Sequence, residues 1–219
     1  PLANITRATA RTNSKNKGSK WGQYDFASWC AVWLLYLVEF ADWNSQSVIG
    51  IGICGSSSMA NTGGTDSMNY HTGTAASSRT TAGAVQYRNI ENPWGNIWEW
   101  IDGVNFSDGT VYVCTTPANY ADDTTSGYTN AGTKTQSAGW IKAIGISSTA
   151  PWAFFPTEVG GSETTYIPDY AYYDSGWRVL YVGGGYSNAT GNVGLFGFYA
   201  SSTSSDSYSI VGARLLFHP

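Results

Sequence analysis

Four groupings of residues in this chain have types and spacings that could do chemistry. Gly50-x-Gly52-x-x-Gly55 has the spacing of a dinucleotide fingerprint, in which glycines let the backbone approach a pyrophosphate held on the N-terminus of the following helix. Glu99 and Asp102 lie close enough in sequence to form an acid/base pair of carboxylates. His71 and His218 are the two imidazoles that could serve a metal or a Ser/His/Asp site. Cys30, Cys54 and Cys114 are the three thiols.

None of the four carries a reaction. The fingerprint requires a helix directly after it, and residues 56–64, Ser-Ser-Ser-Met-Ala-Asn-Thr-Gly-Gly, have loop chemistry instead. A carboxylate among Trp98, Trp100 and their neighbours is expected to accept hydrogen bonds from backbone or indole groups rather than to move protons. His71 and His218 are far apart, with no ligand spacing between them and no nucleophile elbow nearby. The cysteines are too few for a disulfide framework and too scattered for a Cys-x-x-Cys site, so three buried free thiols are expected, with one disulfide as the alternative. Neither a catalytic residue, a metal ligand nor a cofactor is assigned.

The elements that would position any site are mostly strands. Residues 24–42 are expected to form the one helix, with Asp25 as N-cap. Phe26, Trp29, Cys30, Trp33, Leu34, Leu37, Val38 and Ala41 recur at helical spacing, and the opposite side is also apolar, so the helix should be buried. Its apolar run, residues 27–38, is too short to cross a bilayer and is flanked by Asp25, Glu39 and Asp42. Residues 47–54 read as a strand. Residues 85–103 are dense in tryptophan and should lie inside, with a turn at Pro93-Trp-Gly95. Residues 104–113 read as a hairpin turning at Ser107-Asp108-Gly109. Residues 115–137 read as a polar loop, residues 140–146 and 150–156 as core segments, and residues 160–174 as a Gly/Ser/Tyr insertion. Residues 1–20 are basic and aperiodic and read as an arm or linker into a single domain, residues 21–219.

Composition narrows the function. Charged residues are 12% of the 219, and the formal net charge is -4. Eleven Lys and Arg make no basic stripe for phosphates, so neither nucleic-acid binding nor membrane insertion is expected. A surface of Ser, Thr, Asn, Gly and Tyr suits an extracellular or virion protein. No basic-then-apolar leader opens the chain, so export is expected to rely on sequence outside it or on assembly into a particle.

Residues 177–217 look chosen for contact. Strand-like ends, 177–182 and 211–217, and a third candidate strand at 194–199 enclose two loops, 183–192 and 200–210, built from Gly, Ser, Thr, Asn, Asp and Tyr. Tyrosine gives amphipathic contact area at small entropy cost, and the others add adaptable hydrogen bonds.

The block Glu91-Asn-Pro-Trp-Gly-Asn-Ile-Trp-Glu-Trp100, the segment Trp177-Arg-Val-Leu leading to Gly183-Gly184, and Val211-Gly-Ala-Arg-Leu215 together resemble the C-type lectin-like fold of the formylglycine-generating-enzyme superfamily. With the buried helix ending in Leu-Leu-Tyr-Leu-Val-Glu-Phe40, the chain is similar, over about residues 21–217, to variable proteins of diversity-generating retroelements in phages and bacteria. The resemblance implies an α+β, C-type lectin-like domain with a buried helix, short twisted antiparallel strands and long loops. It also implies a variable region at about 181–212, produced by adenine-directed copying of a template repeat. Asn codons altered in that way do not give Lys, Glu, Gln, Met or Trp. None of these occurs in 181–212, although they supply 26 of the 219 residues.

Carried onto this sequence, the resemblance implies ligand-facing side chains at Tyr181, Gly185, Tyr186, Ser187, Asn188, Asn192, Gly197, Phe198, Tyr199, Ser201, Ser202, Asp206, Tyr208 and Ile210. Gly183, Gly184, Gly194, Gly212 and Arg214 would be scaffold. The implied partner is a host cell-surface protein or glycan, bound by a phage tail-tip protein, or alternatively by one displayed on a bacterial surface. A homo-oligomer would form through other regions. The late cysteine pair of formylglycine-generating enzymes is absent, since no cysteine follows Cys114. The Glu-Pro-Asn and Trp-Asn-Asp motifs of calcium-dependent sugar-binding lectins are absent too, so binding without catalysis is expected.

Overall fold

A computed structural model describes residues 1–134, 136–165 and 167–219. The parts of the expected 115–137 loop and 160–174 insertion that fall on Thr135 and Tyr166 lie outside the described residues. The chain is α+β, a curled, mostly antiparallel sheet with a few helices.

The helices are α1 (Arg7–Lys15), α2 (Phe26–Phe40) and α3 (Ser45–Val48). The strands are β1 (Trp21–Gln23), β2 (Thr72–Thr74), β3 (Val85–Tyr87), β4 (Ile90–Glu91), β5 (Trp98–Ser107), β6 (Thr110–Val113) and β7 (Thr129–Thr133). They continue with β8 (Ser137–Ile146), β9 (Phe154–Val159), β10 (Tyr170–Tyr173), β11 (Trp177–Val182), β12 (Phe198–Ser202), β13 (Val211–Gly212) and β14 (Leu215–Phe217). The main sheet runs β7-β6-β5-β11-β12-β10-β8-β9, with β13 added alongside β5. β1 pairs with β14, and β2, β3 and β4 form a small separate sheet.

Helix α2 supplies the inner layer. Asp25 caps it as expected, its carboxylate accepting from the Ser28 N–H at 2.9 Å. The helix ends at Ala41, in the left-handed region at φ 51°. Phe26, Trp29, Trp33 and Tyr36 are buried against the sheet. Trp29 meets Trp33 at 4.0 Å and Phe198 of β12 at 5.6 Å, and Trp33 meets Phe196 at 4.7 Å. Each such side chain contributes about 1.5–3 kcal/mol of transfer free energy on burial. The expectation that this helix is covered all round is corrected: Leu34, Leu35 and Val38 are 50%, 43% and 78% exposed, because the sheet reaches only one side of it.

The hairpin forms as read, with β5 and β6 joined through Asp108 and Gly109. Both turn residues have positive φ, 42° and 84°, the conformation that matches the twist of the flanking strands.

Five other expectations change. Residues 47–54 are not a strand: they leave the short helix α3 and pass into an irregular segment. The 115–137 loop contains β7 and a 3-10 turn at Pro117–Asn119, and the 160–174 insertion contains β10. The third strand of the late stretch is displaced to β12, and the final run is divided into β13 and β14.

Residues 1–20 are not a free arm. Thr6 caps α1, and Arg7 is fully buried. Arg7 donates to the carbonyls of Val104 and Ile101 at 2.5 and 3.2 Å and to Asp122 at 2.7 Å. Arg11 grips Asp102 through both carboxylate oxygens, at 2.6 and 2.9 Å, and reaches Asp122 at 2.7 Å. Burial works to raise the Asp122 carboxyl, but Arg7 and Arg11 outweigh it and hold the group below its usual range. α1 therefore closes the side of β5 that faces away from α2.

Candidate functional site

Side chains alternate across a strand, and here that alternation separates core from surface. On β12, Phe198 and Ala200 point to α2 and are wholly buried, while Tyr199 and Ser201 are half-buried on the opposite face. On β11, Leu180 and Val182 are core and Tyr181 is half-buried. On β10, Ala171 and Tyr173 are buried, and Tyr170 and Tyr172 face outward.

Register brings these outward residues side by side. Tyr181 pairs with Trp100 of β5 and with Tyr199, Tyr199 pairs with Tyr172, and Tyr170 pairs with Trp140 of β8. An aromatic strip therefore crosses five strands. Trp98 lies 5.0 Å from Tyr181 and 4.5 Å from Tyr199, Tyr199 lies 5.9 Å from Tyr170, and Tyr170 lies 5.0 Å from Trp140. These are edge-on or tilted contacts at the separations aromatic pairs prefer. Trp98 and Trp100 are buried beneath one end of the strip, where the Trp100 indole donates to the Ile5 carbonyl at 2.8 Å. The strip is open at its other members, which are half-buried.

The two late loops border this strip. In residues 183–193, Asn188 turns its Oδ1 inward to accept from the Trp98 indole and the Gly185 N–H, both at 2.8 Å. Tyr186 N–H donates to the Asn96 carbonyl at 2.7 Å, leaving its ring half-exposed beside exposed Ser187. In residues 203–210, Asp206 accepts from the Thr203 N–H at 2.7 Å, and the backbone of Asn4 donates to the Tyr208 carbonyl at 2.9 Å. The Tyr208 side chain is 42% exposed. The Tyr181 and Ser201 hydroxyls meet at 2.9 Å. Burial pushes the Tyr181 phenol up, hydrogen bonds with Ser201 and Ser202 oppose the shift, and Tyr208 and Asp206 add to it. Burial also raises Tyr199, reinforced by Tyr181, Tyr170 and Asp169.

Of the residues expected to face a ligand, Tyr181, Tyr199 and Ser201 lie on the strip. Tyr186, Ser187, Asn192, Asp206, Tyr208 and Ile210 lie in or at the ends of the bordering loops, with side chains half-buried or exposed. Asn188 is there too, but its oxygen holds the loop. Four expectations are corrected. Phe198 is core, packed on Phe26, Trp29, Phe106 and Tyr173. Ser202 is buried beside its pairing partner Val179 and near the Tyr181 hydroxyl, where a register shift interrupts the pairing of β12 with β11, and Gly185 and Gly197 are buried in the loop walls.

Reading the 181–212 window alone missed Trp140, Tyr170 and Tyr172, which complete the strip from earlier strands. The alternation Tyr170-Ala-Tyr-Tyr173 was a usable signal.

The cations Lys142 and Arg178 are paired: Lys142, two residues beyond Trp140 on β8, with Glu158 at 3.2 Å, and Arg178 with Asp174 at 3.7 Å. Beneath the face, Asp169 is buried and accepts from the Phe196 N–H at 2.7 Å. Burial pushes its carboxyl up to about 7 against that hydrogen bond.

The groups that began as chemical candidates are engaged elsewhere. Glu99 takes Arg214 at 2.6 and 3.3 Å, and Asp102 takes Arg11, so guanidinium groups rather than indoles are their main partners. The three cysteines are free and buried, and His71 is exposed, 3.9 Å from Glu39. Among the described residues, no group of three or more His, Cys, Asp or Glu side chains is placed to hold a metal ion, and no helix is long and apolar enough to cross a membrane. Neither a protein-family model nor a curated protein matches this chain.

Proposed function

We propose that this chain is a ligand-binding domain with no catalytic role, of C-type lectin-like fold, and that its ligand lies across the aromatic strip and the two loops beside it. The observation that carries the reading is the division of β11 and β12. Tyr181, Tyr199 and Ser201 look outward from the very strands whose alternate residues build the core. Substitutions at the outward positions and in residues 186–192 and 203–210 can change what is recognised without disturbing α2 or its packing, as a diversified binding surface requires.

Further support comes from the residue types of that surface, which combine Tyr with Ser, Asn and Gly. The proposed setting is a phage tail tip that recognises a bacterial envelope, with retroelement copying as the source of variation at about 181–212. Two measurements test it. The DNA beside the gene should hold a reverse transcriptase and a near-copy of codons 181–212 that differs at adenines. Tyr186→Ala and Tyr208→Ala should each reduce capture of bacterial cells at least about tenfold, the effect of a modest contact residue. Undiminished capture by both folded variants would refute the site.

A further inference from the structure

We infer that this face takes a neutral glycan, and that Trp140, Tyr170 and Tyr172, three side chains outside the variable window, form its fixed floor. The inference rests on the proposed binding face and names its ligand class.

The argument begins with unsatisfied polar groups beside apolar rings. The Trp140 indole N–H is buried without a hydrogen-bond partner among the described residues, although the ring lies half-buried against Tyr170 at the open end of the strip. A buried donor left unpaired is unfavourable, and because the ring edge beside it packs near Gly191 and Glu163, a ligand acceptor removes the penalty when that turn is displaced. Tyr181 uses its hydroxyl on Ser201, but no hydrogen bond to a described residue engages the hydroxyls of Tyr170, Tyr172 or Tyr199. The floor therefore offers flat apolar rings interspersed with free donors and acceptors. A pyranose has the matching chemistry, one apolar C–H face and a rim of hydroxyls that both donate and accept.

Charge decides the kind of glycan. Sialic acids, uronic acids and phosphorylated sugars call for arginine or lysine, and the cations nearest this face, Lys142 and Arg178, already have carboxylate partners. Protein interfaces also enrich arginine at their centres, and none stands on this floor. The remaining polar groups are the neutral Ser187, Ser201 and outer side of Asn188 together with the carboxylates of Asp206 near Tyr181 and Glu163 beside Gly191 and Trp140, which repel an acidic sugar. A floor drawn from β8 and β10 stays constant while residues 186–210 change, so the ligand class persists while the preferred sugar shifts.

The test uses the whole chain on an array of defined neutral and acidic oligosaccharides. Binding to neutral members is expected, unchanged by EDTA. Trp140→Phe keeps an aromatic ring while removing the N–H and the pyrrole half of the indole, and it should weaken binding about fivefold. Tyr170→Phe provides an independent second variant with the same expectation. Absence of binding to any neutral glycan, preference for acidic ones, or full binding by both variants overturns the inference. On captured bacterial cells, periodate oxidation of surface sugars should abolish capture. If protease treatment abolishes it and periodate does not, the ligand is a protein: the glycan assignment falls while the binding face stands. The face itself falls only if Tyr186→Ala and Tyr208→Ala capture cells undiminished.

Discussion

Replacing Arg7 with methionine keeps most of the side-chain volume and removes the charge that ties the N-terminal helix to the sheet. The guanidinium donates to two β5 carbonyls, to the Asn105 side chain and to Asp122, in a site with no solvent access. Breaking a buried pair by removing one partner costs about 3–5 kcal/mol. Asp122 keeps Arg11 at 2.7 Å, which places the expected loss at the lower end, about 3 kcal/mol. For a domain of this size, each kcal/mol lowers Tm by about 2–4 °C, so Arg7→Met should melt about 6–12 °C below the parent. Thermal denaturation followed by circular dichroism reads this directly. Lys17→Ala, on an exposed position just past α1, should stay within about 0.5 kcal/mol of the parent. Asp122, with its folded pKa depressed, stabilises the fold above its unfolded pKa and loses that contribution as pH falls, so Arg7→Met should also flatten part of the acid-side decline. If Arg7→Met melts within 1 or 2 °C of the parent, by the same scale, residues 1–20 are a dispensable arm and the account of β5 is wrong.

Three further outcomes are expected. Burial pushes the Asp169 carboxyl up to about 7, above the ordinary carboxylate range of about 4. The unfolded chain therefore releases this proton first as pH rises, and stability should fall between about pH 4 and pH 7. Asp169→Asn should lack that part of the slope in chemical denaturation repeated across pH, and parallel profiles would refute it. A Cβ at Gly194 would overlap the Asp169 carboxylate, so Gly194→Ala should cost about 1–3 kcal/mol by forced displacement, measured as a lower denaturation midpoint. Tyr186→Ala and Ser187→Ala, in contrast, should leave the midpoint within about 0.5 kcal/mol, separating recognition from folding.

What could be read from the chain followed the range of the interactions. The cap at Asp25, the apolar spacing of α2 and the Asp108-Gly109 turn are local, and they form where the sequence places them. Arg7 and Arg11 could not be read, because their partners Ile101, Asp102, Val104 and Asp122 lie about a hundred positions away and nothing near α1 announces them. Residues 47–54 alternate Ile and Gly like a strand, yet tertiary packing uses them as irregular chain. The loops expected to face a ligand lie beside the aromatic strip, whereas Phe198 is core, since an aromatic in a variable-looking tract gives no sign of which face of β12 it takes. Trp140 and Tyr170 escaped notice because only the β10–β8 pairing carries them to Tyr199.

β12 is five residues long, and within it Phe198 and Ala200 serve the core while Tyr199 and Ser201 serve the outside. A point change at 199 or 201 edits the outside alone, whereas loss or gain of one codon would turn Phe198 and Ala200 toward solvent and drive tyrosine into the bed of α2. Any process that renews this strand must therefore conserve its length while altering its letters, and lineages should differ here by replacement and almost never by a gap.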